Sequence, residues 1–164
     1  GPFYLHQTRR TSRGNHQSSD TYITLVTERC SMKDLLLGID QNVDRAVKQA
    51  ETVLNLFEAD NIHVYLLHDF GENPEGASVV QVSSVKRAKE LFEEANVPVD
   101  LREGSGDPAE SIIQHAEELD ADAICIAGRK RSPAGKMLFG SVSQSVILNA
   151  DRPVLTCSAP HELE

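Results

Sequence analysis

From residue 33 to about residue 158, short apolar runs alternate regularly with amphipathic stripes, and no other feature restricts the fold of this chain so tightly. The first run, Leu35-Leu36-Leu37-Gly38-Ile39, is continuous, as expected of a strand covered on both faces. Val43, Ala46, Val47, Ala50, Val53, Leu54 and Phe57 then recur at steps of three and four, the stripe of a helix with one buried face. Residues 62–67 form the next run, and after the turn-rich 71–76 segment a second stripe covers Val79, Val82, Val85, Ala88, Leu91, Phe92 and Ala95. Residues 97–101 alternate as a shorter strand. Asp107-Pro108 marks a helix start, because Asp caps and Pro tolerates the first helical position, and Ala109, Ile112, Ile113, Ala116 and Leu119 supply that helix's apolar face. Residues 123–127 read as a fourth strand, 141 to about 148 as a fourth helix and 154–157 as a fifth strand. Strands alternating with helices predict an α/β fold, a parallel sheet with helices on both faces.

The first 31 residues follow a different pattern. Residues 1–20 are rich in Ser, Thr, Arg, Gln, Asn and His and offer almost nothing to bury, so they are expected to be disordered on their own. Gly1-Pro2 has the form of a scar left by a tag-removing protease, and Met32 has the position of a natural start. Residues 1–31 are therefore expected to be tag-derived or translated from upstream, with 32–160 as the single folded domain. Thr21 to Val26 is the one stretch there able to pair as an edge strand. The segment carries +2 within a chain total of −9, which leaves −11 on residues 32–164. Such an acidic body disfavours nucleic-acid binding, which needs surplus Lys and Arg to neutralise phosphates. No apolar run approaches the roughly 20 residues of a membrane helix. Three cysteines without C-x-x-C spacing argue against a disulfide scaffold and a thiolate zinc site, and the chain is expected in the cytoplasm.

In open parallel sheets ligands bind beyond the carboxyl ends of the strands, where the winding reverses. Three of those ends carry polar chemistry: Ile39-Asp40-Gln41-Asn42, His68-Asp69, and the loop from Gly128 through Arg129, Lys130 and Arg131 to Gly140-Ser141-Val142-Ser143. A Gly directly after a strand admits close backbone approach. A Gly-Ser pair opening a helix offers free N–H groups and a hydroxyl at the positive end of the helix dipole, a phosphate site. Neither familiar phosphate motif is met. Around Gly135-Lys136 a Walker loop fails at Lys130 and Met137, and Gly104-Ser105-Gly106 begins a dinucleotide fingerprint that ends in Ala109 and serves equally as a turn and cap.

Leu35 to Asp40 (LLLGID), Val64 to Asp69 (VYLLHD), Gly104 to Ile112 (GSGDPAESI) and Ala121 to Cys157 occur in the order and spacing of the universal stress protein family, which residues 33 to about 158 resemble. The resemblance implies a doubly wound, five-stranded, Rossmann-like α/β domain, a homodimer formed through the last strand (Val154 to Cys157) and a role in stress survival. It also implies ATP or AMP binding in one branch of the family. That branch's pattern is Gly, two residues, Gly, nine residues, Gly and Ser/Thr. Here Gly128 and Gly140-Ser141 match, Arg131 stands at the middle Gly, and the stretch to Gly140 is one residue short. Asp40 matches the acid that bonds the adenine or ribose, Val142 and Ser143 match positions lining the phosphates, and Asp69 stands where binders carry a small apolar residue. The residues expected around a nucleotide are Gly38, Ile39, Asp40, Asp69, Ala127, Gly128, Lys130, Arg131, Gly140, Ser141, Val142 and Ser143. Arg131 can replace the lost Gly contact with charge, since a guanidinium suits phosphate.

A plainer role stands beside each of these. Asp40 can cap the first helix, Ser141 its own helix, and the basic loop can be a solvated patch. Asp40, Asp44 and Asp69 could hold Mg²⁺ together with a phosphate, or be rim charges. His68, inside an apolar run, is expected to be a core histidine. Cys125 and Cys157 are expected to be buried, inert thiols, with Cys157 near the interface if the last strand pairs across a dimer. No positioned general base is recognisable, so hydrolysis is expected to be slow at most. The alternative to a nucleotide-binding regulator is a dimeric scaffold of the same fold that binds no nucleotide.

Overall fold

The structure, a computed structural model, describes residues 32–71, 76–128, 130–131 and 134–158. The expectations for residues 1–31, for Arg129 and for most of the 71–76 turn lie outside the described residues. Five strands form one parallel sheet: β1 (Lys33–Gly38), β2 (Ile62–Asp69), β3 (Val99–Gly104), β4 (Ala123–Ala127) and, last in the chain, β7 (Val154–Cys157). Their order across the sheet is β3-β2-β1-β4-β7. The chain winds outward from β1 through β2 to β3, then returns to the other side of β1 with β4 and β7. The winding therefore reverses between β1 and β4.

Helices α1 (Val43–Leu56), α2 (Ser83–Glu94), α3 (Pro108–Glu118) and α4 (Ser141–Asn149) cover the sheet. Strand side chains alternate between its faces, so each face has a core of its own. Leu35, Leu37, Val64, Leu66 and Cys125 pack with Ala46, Ala50 and Val53 of α1 and Val85, Ala88 and Phe92 of α2. Leu36, Leu67, Ile124 and Ile126 pack with Ala109, Ile112 and Ala116 of α3 and Val146 of α4. Leu35, Leu36 and Leu37 are all buried, which explains why β1 reads as a run rather than as an alternation.

Local chemistry fixes the helix starts. Asp107 Oδ1 accepts the Glu110 N–H at 2.9 Å, with Pro108 at the first helical position, as the sequence predicts. Asn42, not Asp40, caps α1: its Oδ1 accepts the Arg45 N–H at 2.9 Å. Asp40 lies two residues too early, and its Oδ1 instead accepts the Asn42 N–H at 2.8 Å. The second stripe divides into a 3-10 turn, Val79–Gln81, followed by α2. β3 begins two residues later than expected, because Val97 belongs to the turn after Asn96, whose φ is 59°. The basic loop also contains a small antiparallel ribbon, β5 (Lys130–Arg131) with β6 (Met137–Leu138). Among the described residues no helix is long and apolar enough to cross a membrane.

Candidate functional site

At the reversal between β1 and β4 the carboxyl ends of β1, β2 and β4 surround a cavity of about 240 Å³. Its floor is apolar, built from Ile39, Leu67, Ile112, Ile126 and Ala127, with Pro108 on the α3 side. A Cβ on Gly38 would stand 2.7 Å from Ile112 Cδ1, so the glycine lets α3 sit close over the end of β1.

The polar groups are at the rim and in the crevice. Asp40, its side chain about half exposed, joins the Asn42 N–H and pairs with the Arg45 guanidinium through Oδ2. The Ser84 hydroxyl donates to the Asp40 carbonyl oxygen and fastens α2 to this corner. His68 is buried, as the sequence predicts, and its Nδ1 lies 2.7 Å from the Ile39 carbonyl oxygen. A carbonyl only accepts, so Nδ1 carries the hydrogen. The His68 ring also meets the Phe70 ring edge-on at 4.7 Å. Gln49 is buried, and its Nε2 donates to the Gly38 carbonyl at 3.0 Å and to the Cys125 carbonyl at 3.2 Å, bridging β1 and β4. Asp69 Oδ1 accepts the Gly71 N–H at 2.7 Å, whereas its buried Oδ2 has no partner among the described residues.

The α4 end faces the cavity with Gly140, Val142 and Ser143. Gly140 precedes the helix without a side-chain cap, which leaves the first N–H groups of α4 facing outward at the positive end of the helix. Ser141 is the first helical residue, is exposed and caps nothing. Ser143 Oγ donates to the Ala127 carbonyl at 3.2 Å and ties α4 to the end of β4.

Of the residues expected around a nucleotide, the fold brings Gly38, Ile39, Asp40, Asp69, Ala127, Gly140, Val142 and Ser143 to this cavity. Gly128 and Ser141 are not among its lining residues, and the side chains of Lys130 and Arg131 lie outside what the structure describes. Gly128 is buried, its N–H bonded to the Cys157 carbonyl at 2.9 Å, and Lys130 and Arg131 pair with Leu138 and Met137 in the ribbon. Gln49, Leu67, Ile112 and Ile126 line the cavity although in sequence they read as core or helix-face positions. Among the described residues no three His, Cys, Asp or Glu side chains converge as a metal site.

Beneath the Gln49 crevice Cys125 and Cys157 are both buried, with their Sγ atoms 3.3 Å apart. Cys157 points into the core against Cys125 rather than outward toward an interface. The hydrogen bond between the two sulfurs, with burial adding to it, pushes the Cys125 thiol well above its ordinary range, whereas the same bond, acting against burial, pulls Cys157 below it.

The sequence model of the universal stress protein family matches residues 32–158. Among curated proteins, the stress response protein NhaX of Bacillus subtilis (strain 168) is 38% identical over 71 residues, 43% of this chain and 43% of that protein. The chain spans about half the length of the curated relatives it matches. Among solved structures, a universal stress protein from Archaeoglobus fulgidus is 28% identical with a TM-score of 0.54, over 76% of this chain and 98% of that one. A second structure, of the universal stress protein from Archaeoglobus fulgidus in complex with dAMP, has the same fold at a TM-score of 0.59 and 22% identity, covering 76% of this chain and 97% of that one.

Proposed function

Because the chain belongs to the universal stress protein family, we propose that the cavity between the ends of β1 and β4 holds an adenine nucleotide, ATP or AMP, in a regulatory role. One observation carries the reading: an apolar floor ends at the uncapped start of α4. The floor suits a flat base, and the free N–H groups with the helix dipole suit a phosphate. The dAMP complex of the fold relative supports the same ligand class. Asp40 at the rim would hold the nucleoside. Lys130 and Arg131, two and three residues beyond Gly128, would add positive charge within an acidic domain, and Mg²⁺ would enter with the phosphates of ATP. The reading assigns no catalytic residue, and it takes cytoplasmic residence from the family resemblance.

Titration of AMP and of ATP with Mg²⁺ into the full chain, followed by calorimetry, is expected to give saturable binding at one nucleotide per chain. Asp40→Ala is expected to weaken that binding by about tenfold, the usual loss for one hydrogen bond to a charged group. Silence of both nucleotides at millimolar concentration, with the protein folded, would leave the scaffold reading in place.

We also propose that the chain is a homodimer through β7. That strand ends the sheet order, and Val154, Leu155 and Thr156 on it are only half-buried. On the preceding helix Ile147 and Leu148 are exposed, Leu148 by 81%. An apolar edge strand invites pairing with its own copy. Light scattering at micromolar concentration is expected to return twice the chain mass of 18.0 kDa, and a monomeric mass would defeat the proposal.

A further inference from the structure

Taking the cavity as a nucleotide site, we propose that Arg45 is a positioning residue for it, holding the Asp40 carboxylate in the orientation that receives the nucleoside. Asp40 lines the cavity and Arg45 does not. Contact with a ligand there falls to Asp40, and Arg45 acts through it.

The main chain at this corner is fixed from two sides. The Ile39 N–H donates to the Leu67 carbonyl at 2.8 Å, and the Ile39 carbonyl accepts from His68 Nδ1 at 2.7 Å. From α2, the Ser84 hydroxyl donates to the Asp40 carbonyl. These bonds leave the direction of the Asp40 side chain undetermined. That side chain is 48% exposed, so packing alone does not choose its rotamer. Two donors do. The Asn42 N–H holds Oδ1 at 2.8 Å, and the Arg45 guanidinium holds Oδ2. An ionised carboxylate offers about four acceptor positions, so each oxygen retains capacity for a ligand hydroxyl.

Helix formation alone does not explain why Arg45 stands where it does. It is the third residue of α1, in the first turn, where the helix dipole disfavours a cation. The pair with Asp40 offsets that cost. The Arg45 N–H is bonded to Asn42 Oδ1 at 2.9 Å, so the start of α1 and the Asp40 carboxylate are built as one unit. At 19% exposed, the Arg45 side chain is the more enclosed of the pair and serves as its anchor. Fixing one side chain before the ligand arrives is worth about three- to tenfold in affinity.

Calorimetric titration of AMP and of neutral adenosine into the full chain separates orientation from charge. Arg45→Met, which keeps the apolar stem and removes the donors, is expected to weaken both ligands by the same factor, about three- to tenfold. In an Asp40→Ala background the same change is expected to cost less than about twofold, because the group it orients is gone. Arg45→Lys, which retains a charged donor, is expected to bind within about twofold of the wild type. Arg45→Ala repeats the measurement should the Met variant misfold. A loss confined to AMP would make Arg45 a charge acting on the phosphate and overturn the positioning role. An equal loss with and without Asp40, or no loss in either, overturns it as well. Each of these results leaves the nucleotide site in place. A wild type that binds neither AMP nor adenosine overturns both readings together.

Discussion

Replacing Phe92 with alanine is expected to remove about 3–5 kcal/mol of folding stability. Phe92 is fully buried and is among the largest of the fully buried side chains. It completes the inner stripe of α2, after Val85 and Ala88, and packs in the core that α2 shares with α1 and the sheet. α1 contributes Ala46, Ala50 and Val53 to the same core. Alanine would remove the contacts of the ring and leave a cavity that backbones held by the sheet cannot collapse. A domain of this size holds about 5–15 kcal/mol in all, so the loss is a large share of the total. Urea denaturation checks it: the midpoint should fall sharply with an unchanged slope, and Phe92→Leu should retain most of the stability. A loss below about 1 kcal/mol would show that the ring is not enclosed as described.

Gln49→Leu is expected to cost about 2–3 kcal/mol, although it conserves volume in a buried position. The Gln49 amide is the donor shared by the Gly38 and Cys125 carbonyls, beyond the last ladder pair of β1 and β4, Leu37 with Cys125. Leucine offers neither carbonyl a hydrogen, and the crevice is largely closed to water, so the acceptors would lose their donor without replacement. The same change alters the wall of the cavity and should weaken AMP binding in parallel with stability. Thermal and urea unfolding read the first effect and calorimetry the second. Wild-type stability in Gln49→Leu would mean that both carbonyls have other donors.

Gln49 also shows where reading the sequence stops. In sequence it lies in the α1 stripe beside Ala46, Ala50 and Val53, where a polar residue looks like an interruption of the apolar face. Only the fold places it over the two strand ends that need a donor. Ile112 and Ile126 read correctly as apolar and buried, yet their periodicity carries no sign that they floor a cavity. The β5–β6 ribbon left no mark either, because strands of two residues are too short to show a period. Conversely, the Asp107-Pro108 start of α3 needed no tertiary information, since capping is written in residue identity.

The α/β alternation, the helix faces, the capped start of α3 and the polar residues gathered after strands one, two and four are all written in residue order. Each follows from interactions within a few residues, where apolar spacing and side-chain chemistry act directly. The tertiary structure alone decided the order β3-β2-β1-β4-β7 and with it the crevice between β1 and β4. It also decided that Asp40 pairs with Arg45 rather than capping α1, that Cys157 faces Cys125, and that one oxygen of Asp69 has no donor among the described residues. These outcomes depend on which distant segments become neighbours. Leu36 of β1 meets Ile124 of β4 across 87 intervening positions, and no local pattern records that pairing.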